Sequence, residues 1–109
     1  MQFIIHSKQL CGQAERYEES LGKRCYIPGR DTRQADGTQI LRQNLRAMKR
    51  CEQDVPVFWD GGSLGTMFDM GMAYALGKRI LPKELVSGRN WIEYFGSKIG
   101  QCISCEDDL

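Results

Sequence analysis

Asp69 is the residue of this chain that is best placed to carry chemistry. It follows a glycine-rich turn that connects a short apolar strand to a helix, and it falls within the first turns of that helix. A carboxylate in this position can attack an electrophilic carbon, or it can bind the hydroxyl groups of a ligand without reacting. Asp69 is therefore the candidate catalytic residue, with a non-reactive binding role as the alternative.

The turn before Asp69 contains residues suited to binding an anion or the oxygen atoms of a sugar. Backbone N–H groups at the start of a helix are unpaired and carry partial positive charge, and glycine lets the main chain approach a ligand closely. The candidate binding residues of this segment are Asp60, Gly61, Gly62, Ser63, Gly65 and Thr66. Ordinary strand-to-helix loops share this composition, so the pattern alone does not establish a site.

A βαβ unit is the arrangement that would position these residues. Residues 55–59 form a predicted strand, Gly77 is the predicted end of the helix, and residues 79–81 form the next strand. In an open α/β sheet the turn would lie beyond the carboxyl ends of the strands, where ligands bind. The predicted core-facing residues of the helix are Phe68, Met72 and Ala75.

The rest of the chain also alternates between strand and helix patterns. The predicted elements are a strand at residues 2–6, a helix at residues 12–21, a strand at residues 23–27, a polar loop at residues 30–37, and a helix capped by Thr38 with Leu41, Leu45 and Met48 buried. With 109 residues and no internal linker, the sequence predicts one domain over residues 1–109. The expected fold class is α/β, with a four- or five-stranded, mostly parallel sheet.

Composition excludes several classes of function. Fifteen basic and fourteen acidic residues leave a formal net charge of +1, which argues against electrostatic binding of duplex nucleic acid. The N-terminal residues lack the pattern of a signal peptide or a membrane span, so we expect a cytoplasmic protein with no membrane partner.

The five cysteines are odd in number and scattered, which is typical of reduced thiols rather than of a disulfide framework. Cys102 and Cys105 have the spacing of a metal knuckle or a redox pair, but no second pair or nearby histidine completes a zinc site. The sequence therefore predicts neither a metal nor a cofactor.

The motif around Asp69 resembles the nucleoside 2-deoxyribosyltransferase family, including its relatives the 2′-deoxynucleoside 5′-phosphate N-hydrolases. The residues that carry this resemblance are Ser63, Gly65, Asp69, Gly71, Ala73, Ala75, Gly77 and Lys78. The order of the preceding elements is similar as well. The resemblance implies a Rossmann-like three-layer sandwich that binds a nucleoside or nucleotide.

The resemblance also implies a reaction, namely cleavage or transfer at the N-glycosidic bond of a 2′-deoxynucleoside or its 5′-monophosphate. Asp69 stands at the position of the family nucleophile, where the helix start is expected to keep it ionised. Its carboxylate would form a covalent deoxyribosyl intermediate that water or another base then releases. Asp60 is the candidate contact for sugar hydroxyls or for the base.

Ser63 favours a phosphorylated ligand. The resemblance implies that transferases acting on free nucleosides carry Asp at this position, whereas hydrolases acting on 5′-monophosphates carry Ser. An aspartate would repel a phosphate dianion, but a hydroxyl beside helix N–H groups would bind it. Arg30 or Arg33 are candidate additional cationic contacts, and a solvated loop charge is the alternative for either.

Two positions differ from the family pattern. The family nucleophile is usually Glu, and Asp69 is one methylene shorter. The first strand often supplies a Tyr that orients the nucleophile, whereas residues 3–7 contain none, so His6 and Ser7 are candidate substitutes, with a structural role as the alternative for His6. Both differences support the alternative function, a non-catalytic nucleotide-binding protein that acts as a sensor or sequestering module.

A homodimer is a further implication of the resemblance, because the C-terminal part of a neighbouring subunit often completes the active site in this family. Beyond Pro82, residues 84–86 form a predicted edge strand and Asn90 is the predicted cap of another helix. The aromatic residues of that helix are candidates for interface or base-stacking contacts, with burial in their own core as the alternative. They are Trp91, Tyr94 and Phe95.

Overall fold

The computed structural model describes residues 1–85, which form helices around a parallel sheet. The three strands are β1 (Ile5–His6), β2 (Asp54–Trp59) and β3 (Arg79–Leu85), and they lie in the order β1-β2-β3. Both strand pairs are parallel. The fold class is therefore α/β, as the sequence predicts.

The described sheet has three strands rather than four or five, because the predicted strand at residues 23–27 is reduced to one bridge. Tyr26 pairs with Phe3 in parallel, but the N–H groups on either side of Tyr26 bond elsewhere. Cys25 N–H donates to Glu18 at 2.8 Å and Ile27 N–H donates to Asp31 at 2.9 Å. These two N–H groups face away from the first strand, and the next residue that would face it, Pro28, has no N–H and begins a helix, so the pairing ends at Tyr26.

Four α-helices connect the strands. They are α1 (Cys11–Leu21), which follows a 3-10 turn at Lys8–Leu10, α2 (Pro28–Asp31), α3 (Gly37–Arg50) and α4 (Leu64–Ala75). The predicted loop over residues 30–37 therefore contains part of a helix, since Pro28 begins α2 immediately after Ile27. Proline suits a first helical position because its missing N–H has no partner there in any case.

Apolar side chains cover both faces of the sheet, because successive residues of a strand point to opposite sides. On one face, β-strand residues pack with residues of α3 and α4; on the other, they pack with residues of α1. The first cluster includes Phe3, Ile5, Met48, Val57, Trp59, Met70 and Ala73. The second includes Ile4, Leu10, Ala14, Cys25, Ile27 and Phe58.

Helix α3 differs from its prediction at both its cap and its buried face. Asp36 caps the helix instead of Thr38, because its side chain accepts a hydrogen bond from Gln39 N–H at 3.0 Å. The predicted stripe is correct only for Met48, while Leu41 and Leu45 are half-buried. The fully buried residues of α3 are Asn44, Ala47 and Met48.

The predicted core stripe of α4 is correct only in part, because Met72 is half-buried and packs against the core, whereas Ala75 is exposed. Phe68 is 55% exposed, and the buried residues of α4 are Thr66, Asp69, Met70 and Ala73. Two observations explain this orientation: Met70 and Ala73 pack in the core, and the Thr66 hydroxyl lies 3.2 Å from the fully buried hydroxyl of Ser7. The hydrogen bond holds the Thr66 side of the helix against β1, and Asp69 lies on that side because it is three residues later.

The end of the βαβ unit agrees only in part with the prediction. Gly77 has a φ of 72°, the left-handed conformation of a helix terminator, as predicted. Strand β3, however, continues through Pro82 to Leu85, with an irregular register opposite Val57 and Phe58. Among the described residues β3 pairs only with β2, and an edge strand can accommodate a proline.

Several sequence predictions lie outside the described residues. They concern Val86, Asn90, Trp91, Tyr94, Phe95, Cys102 and Cys105. Within residues 1–85, no helix has the length and apolar character needed to cross a membrane.

Candidate functional site

A pocket of about 440 Å³ opens beyond the carboxyl ends of β1 and β2. Tyr26 pairs on one side of the first strand, at Phe3, whereas β2 pairs on its other side. This is a topological switch point, the place where open α/β sheets bind ligands. Residues lining the pocket include His6, Lys8, Gly29, Thr32, Asn44, Ser63, Gly65, Thr66 and Asp69.

Asp69 is part of the pocket lining and is 9% exposed. Its Oδ1 atom is buried and has no hydrogen-bond partner within residues 1–85. An unpaired buried oxygen is costly, and proteins retain such groups mainly where a ligand or a reaction uses them. The predicted catalytic residue therefore lines the pocket and has one buried oxygen without a partner among the described residues.

Burial raises the pKa of Asp69 to about 6, and the polar side chain of Asn44, which lines the same pocket, opposes this effect only in part. The sequence predicts that the helix start keeps this carboxyl ionised, but the loss of water outweighs that effect. At neutral pH the carboxyl is still mostly ionised. Perturbed carboxyl groups in clefts are typical of functional sites.

The start of α4 forms one wall of the pocket with Ser63, Gly65 and Thr66. Ser63 is the N-cap, and its hydroxyl accepts a hydrogen bond from Thr66 N–H at 3.3 Å. Gly65 and Asp69 are four residues apart and share a face of α4. The structure therefore brings three predicted binding residues and the predicted catalytic residue to one surface.

Asp60 shapes the turn and is not part of the pocket lining. Its Oδ1 accepts hydrogen bonds from Gly62 N–H and Ser63 N–H, both at 2.8 Å. The Gly62 bond is the largest cause of the lowered pKa of Asp60. Gly61 has a φ of 85°, so the turn needs glycine there. These residues position the start of α4, whereas the sequence predicts ligand contacts for them.

Ser7 also supports the site from behind. Its hydroxyl accepts a hydrogen bond from Asp60 N–H at 2.9 Å and contacts the Thr66 hydroxyl, while its own N–H donates to Phe58. The side chain is fully buried and is not part of the pocket lining. Ser7 therefore ties β1 to β2 and α4.

His6 lines the pocket, but both of its ring nitrogens are engaged. Gly29 N–H donates to Nε2 at 2.9 Å, so the proton resides on Nδ1, which donates to the Ser7 carbonyl. Burial lowers the pKa of His6 and favours this neutral form. A Cβ atom on Gly29 would lie 2.7 Å from the ring, so glycine is needed for this approach. His6 thus connects β1 to the start of α2.

Arg30 is directed away from the pocket lining. It donates to Glu18 at 2.6 Å and to Asp31 at 2.9 Å, and these carboxylates raise its pKa. Arg33 is exposed and is likewise not part of the lining. Lys8 is the cationic side chain of the pocket wall within the described residues. Lys8 lies two residues after the end of β1, and this place just beyond the first predicted strand is the sequence signal for a cation at the pocket.

Sequence reasoning also missed Thr32 and Asn44, which are 4% and 3% exposed and line the pocket. Thr32 Oγ1 donates to Asn44 Oδ1 at 2.6 Å. The only signal for Asn44 is a polar residue three positions after Leu41 and four before Met48, within an apolar helical stripe.

Comparisons with protein-family models, with curated proteins and with solved structures give no significant match to this chain.

Proposed function

We propose that this protein cleaves or transfers at the N-glycosidic bond of a 2′-deoxynucleoside or its 5′-monophosphate, with Asp69 as the nucleophile. One observation carries the proposal: a nearly buried carboxyl group with an unpartnered oxygen lines a pocket at the switch point of a parallel sheet. The pocket volume of about 440 Å³ is within the usual range for small-molecule sites.

The proposed chemistry proceeds in two steps. A carboxylate oxygen of Asp69 forms a bond to the anomeric carbon while the C–N bond breaks, and the base leaves with the electron pair and takes up a proton from its surroundings. Water then attacks the same carbon, which releases deoxyribose or its phosphate and restores the carboxylate. If another base attacks instead, the product is a new deoxynucleoside.

The arrangement of the described residues supports a Rossmann-like three-layer sandwich of the kind found in the nucleoside 2-deoxyribosyltransferase family. Helices pack on both faces of the sheet, and the bridge at Tyr26 lies where such a fold has a further strand. We infer membership of this family from the motif around Asp69. A cytoplasmic location and the absence of a duplex nucleic-acid partner stay predictions.

The second candidate function is nucleotide binding without reaction. The pKa of about 6 favours it, because a carboxyl group that protonates easily can donate a hydrogen bond to a ligand as well as accept one. The side chain of Asp69 is one methylene shorter than the Glu that is usual in the resembling family, and this difference also favours binding without reaction.

Base release under single-turnover conditions separates the two functions. With protein in excess over a deoxynucleoside or its monophosphate, we expect free base to accumulate to the amount of ligand supplied. Chromatography detects the base directly. Saturable binding without any free base would instead identify a binding protein.

We further propose that a second copy of the chain covers the outer face of α4. Four large apolar residues of this helix are exposed, namely Leu64, Met67, Phe68 and Tyr74. Leu64 and Phe68 are one helical turn apart and lie on the same side of α4, so both can contact one partner helix. Because α4 also forms the pocket wall, this dimer would place the partner beside the ligand.

Sedimentation of the wild-type protein at micromolar concentration should report a dimer, and Phe68→Asp should shift it to the monomer, because a charge would be buried at the interface. Gln39→Asp is the matched control, since it adds the same charge at an exposed position of α3. A wild-type monomer, or a Phe68→Asp dimer as tight as the control, would contradict the proposal.

A further inference from the structure

The His6 ring joins β1 to the start of α2 by direct hydrogen bonds. Its Nε2 accepts from Gly29 N–H at 2.9 Å, and its Nδ1 lies 2.9 Å from the Ser7 carbonyl oxygen. The residue at the N-cap of α2 is Ile27, whose apolar side chain caps no N–H group. Because the first N–H groups of a helix have no partner within the helix, His6 supplies a cap from 23 positions earlier in the sequence.

These two hydrogen bonds are compatible with only one protonation state of the ring. A backbone N–H can only donate and a carbonyl can only accept, so Nε2 carries no proton and Nδ1 carries one. A protonated imidazole has an N–H at both nitrogens and no acceptor, so neither orientation of the ring gives Gly29 N–H a partner. Protonation of His6 is therefore incompatible with its bond to Gly29.

Close packing prevents the ring from avoiding this conflict by a small movement. A Cβ atom on Gly29 would lie 2.7 Å from His6 Cε1 and 2.9 Å from Cys11 Sγ, so the main chain of Gly29 lies directly against both side chains. His6, Pro28 and Gly29 also line the pocket. Separation of Gly29 from the ring would therefore move one wall of the pocket.

The later part of the α2 segment is attached independently of His6. Arg30 donates to Glu18 at 2.6 Å, and Thr32 Oγ1 donates to Asn44 at 2.6 Å. Loss of the bond to Gly29 thus releases the start of α2 while its end stays attached. The expected change is a local opening and not global unfolding.

We propose that His6 is a pH-sensitive latch on the pocket wall: the neutral ring holds the start of α2 against β1, and the protonated ring releases it. As the pH falls below the ordinary pKa of histidine, the open form gains up to about tenfold in relative population for each pH unit, because only the open form binds the extra proton readily. The effect on ligand binding rests on the proposed function, whereas the latch itself does not.

The charges around the ring decide how the latch is tested. Burial is the largest effect on the pKa of His6 and lowers it, while the Ser7 carbonyl and the charge of Glu15 act in the opposite direction. Asp69 has a pKa of about 6 and titrates in the same range, so Asp69→Asn is the background for the experiment. The charged and titratable groups of the elements around His6 are Lys8, Cys11, Glu15, Arg30, Asp31, Asp60 and Asp69.

Solvent exchange of Gly29 N–H in the ligand-free protein, measured by NMR, tests the latch directly. His6 is the only histidine among the 109 residues, so its ring signals can be followed without ambiguity in the same titration. After correction for intrinsic exchange, the protection of Gly29 should fall by up to about tenfold between about pH 7.5 and about pH 5.5. Thr66 N–H is the reference, because its acceptor is the Ser63 hydroxyl, and its protection should stay constant.

His6→Gln is the matched variant, because the glutamine side chain can present an amide oxygen to Gly29 N–H and does not titrate. The fall in Gly29 protection should be absent in this variant. A fall smaller than about twofold at Gly29, or an equal fall at Thr66, would overturn the latch even if His6→Gln fails to fold. The same fall in His6→Gln would also overturn it.

Ligand affinity tests whether the latch regulates the pocket. The common 2′-deoxynucleosides are uncharged at both pH values, and their affinity for Asp69→Asn should weaken several-fold at the lower pH. The affinity should stay constant when His6→Gln is added. Gly29 opening without nucleoside binding would leave the latch and remove the proposed function, whereas nucleoside binding with unchanged Gly29 protection would do the reverse. Constant affinity despite Gly29 opening would overturn the regulation of this pocket by His6.

Discussion

Replacing Asp69 with asparagine is expected to abolish base release and, at the same time, to stabilise the fold above about pH 7. The amide has nearly the same size but carries no negative charge, so it cannot form the bond to the anomeric carbon. The same change removes a charge that burial penalises. Function and stability therefore depend on Asp69 in opposite directions, which is typical of reactive groups held in a partly dry site.

The pH dependence of this stabilisation follows from the pKa of Asp69. Burial raises it from 3.8 to about 6, so the folded state binds more protons than the unfolded state between these values. The free energy of unfolding of the wild type therefore falls as pH rises through this window. The stabilisation by Asp69→Asn should be absent below about pH 4 and should reach at most about 3 kcal/mol above pH 7.

Denaturant unfolding at several pH values measures this difference directly. Burial lowers the pKa of His6, so His6 contributes with the opposite sign below its ordinary pKa, but it is present in both proteins and its contribution cancels. Asp60→Asn is the matched control, because hydrogen bonds lower the pKa of Asp60, so its carboxylate stabilises the fold above its ordinary pKa and loses that effect as pH falls. Near neutral pH this control should destabilise the protein.

Two results would contradict the assignment of Asp69. Equal stability of the wild type and Asp69→Asn at pH 8 would show that the carboxylate is not desolvated. Wild-type base release from Asp69→Asn would place the nucleophile at another residue.

A deoxynucleoside 5′-monophosphate should bind more tightly than its nucleoside, and Ser63→Asp should narrow the difference by on the order of 2–4 kcal/mol. The Ser63 hydroxyl and the start of α4 line the pocket, and Lys8 adds a positive charge there. An aspartate at the cap would place a negative charge against the phosphate. Calorimetry in the Asp69→Asn background measures both ligands without consuming them.

Ser63→Asn is the control that separates charge from helix capping. Ser63 accepts a hydrogen bond from Thr66 N–H, and asparagine and aspartate both cap helices well. The preference for the monophosphate should survive Ser63→Asn and be lost in Ser63→Asp. Equal wild-type affinity for the two ligands, or equal losses in the two variants, would show that no phosphate subsite exists at Ser63.

Local patterns were sufficient to predict most elements around the site. The apolar run of β2, the helix over residues 12–21 and the glycine that ends α4 all correspond to described features. These features depend on neighbouring residues, through side-chain periodicity, glycine conformation and capping. Asp69 was identified for the same reason, since its position relative to the turn is visible in the chain itself.

Hydrogen bonds that composition does not reveal decided which candidate residues line the pocket. Arg30 was a reasonable candidate by charge, but Glu18, twelve residues earlier, pairs with it. Asp60 was a reasonable ligand contact, yet the turn uses its oxygen for two N–H groups. Hydrogen bonds of this kind form only when separate segments or a particular turn geometry bring donor and acceptor together, so composition does not reveal them.

The sequence by itself determined an α/β domain with a carboxylate near a helix start, whereas the tertiary structure decided which side of that helix faces the sheet. Apolar residues occur nearly all around α4, so hydrophobic periodicity does not distinguish Phe68 outside from Met70 inside. The orientation is fixed by long-range contacts, namely the packing of Met70 and Ala73 in the core and the contact between the Thr66 and Ser7 hydroxyls, which are 59 positions apart in the sequence. That orientation buries Asp69, and burial is the physical reason that the pKa of its carboxyl is raised to about 6.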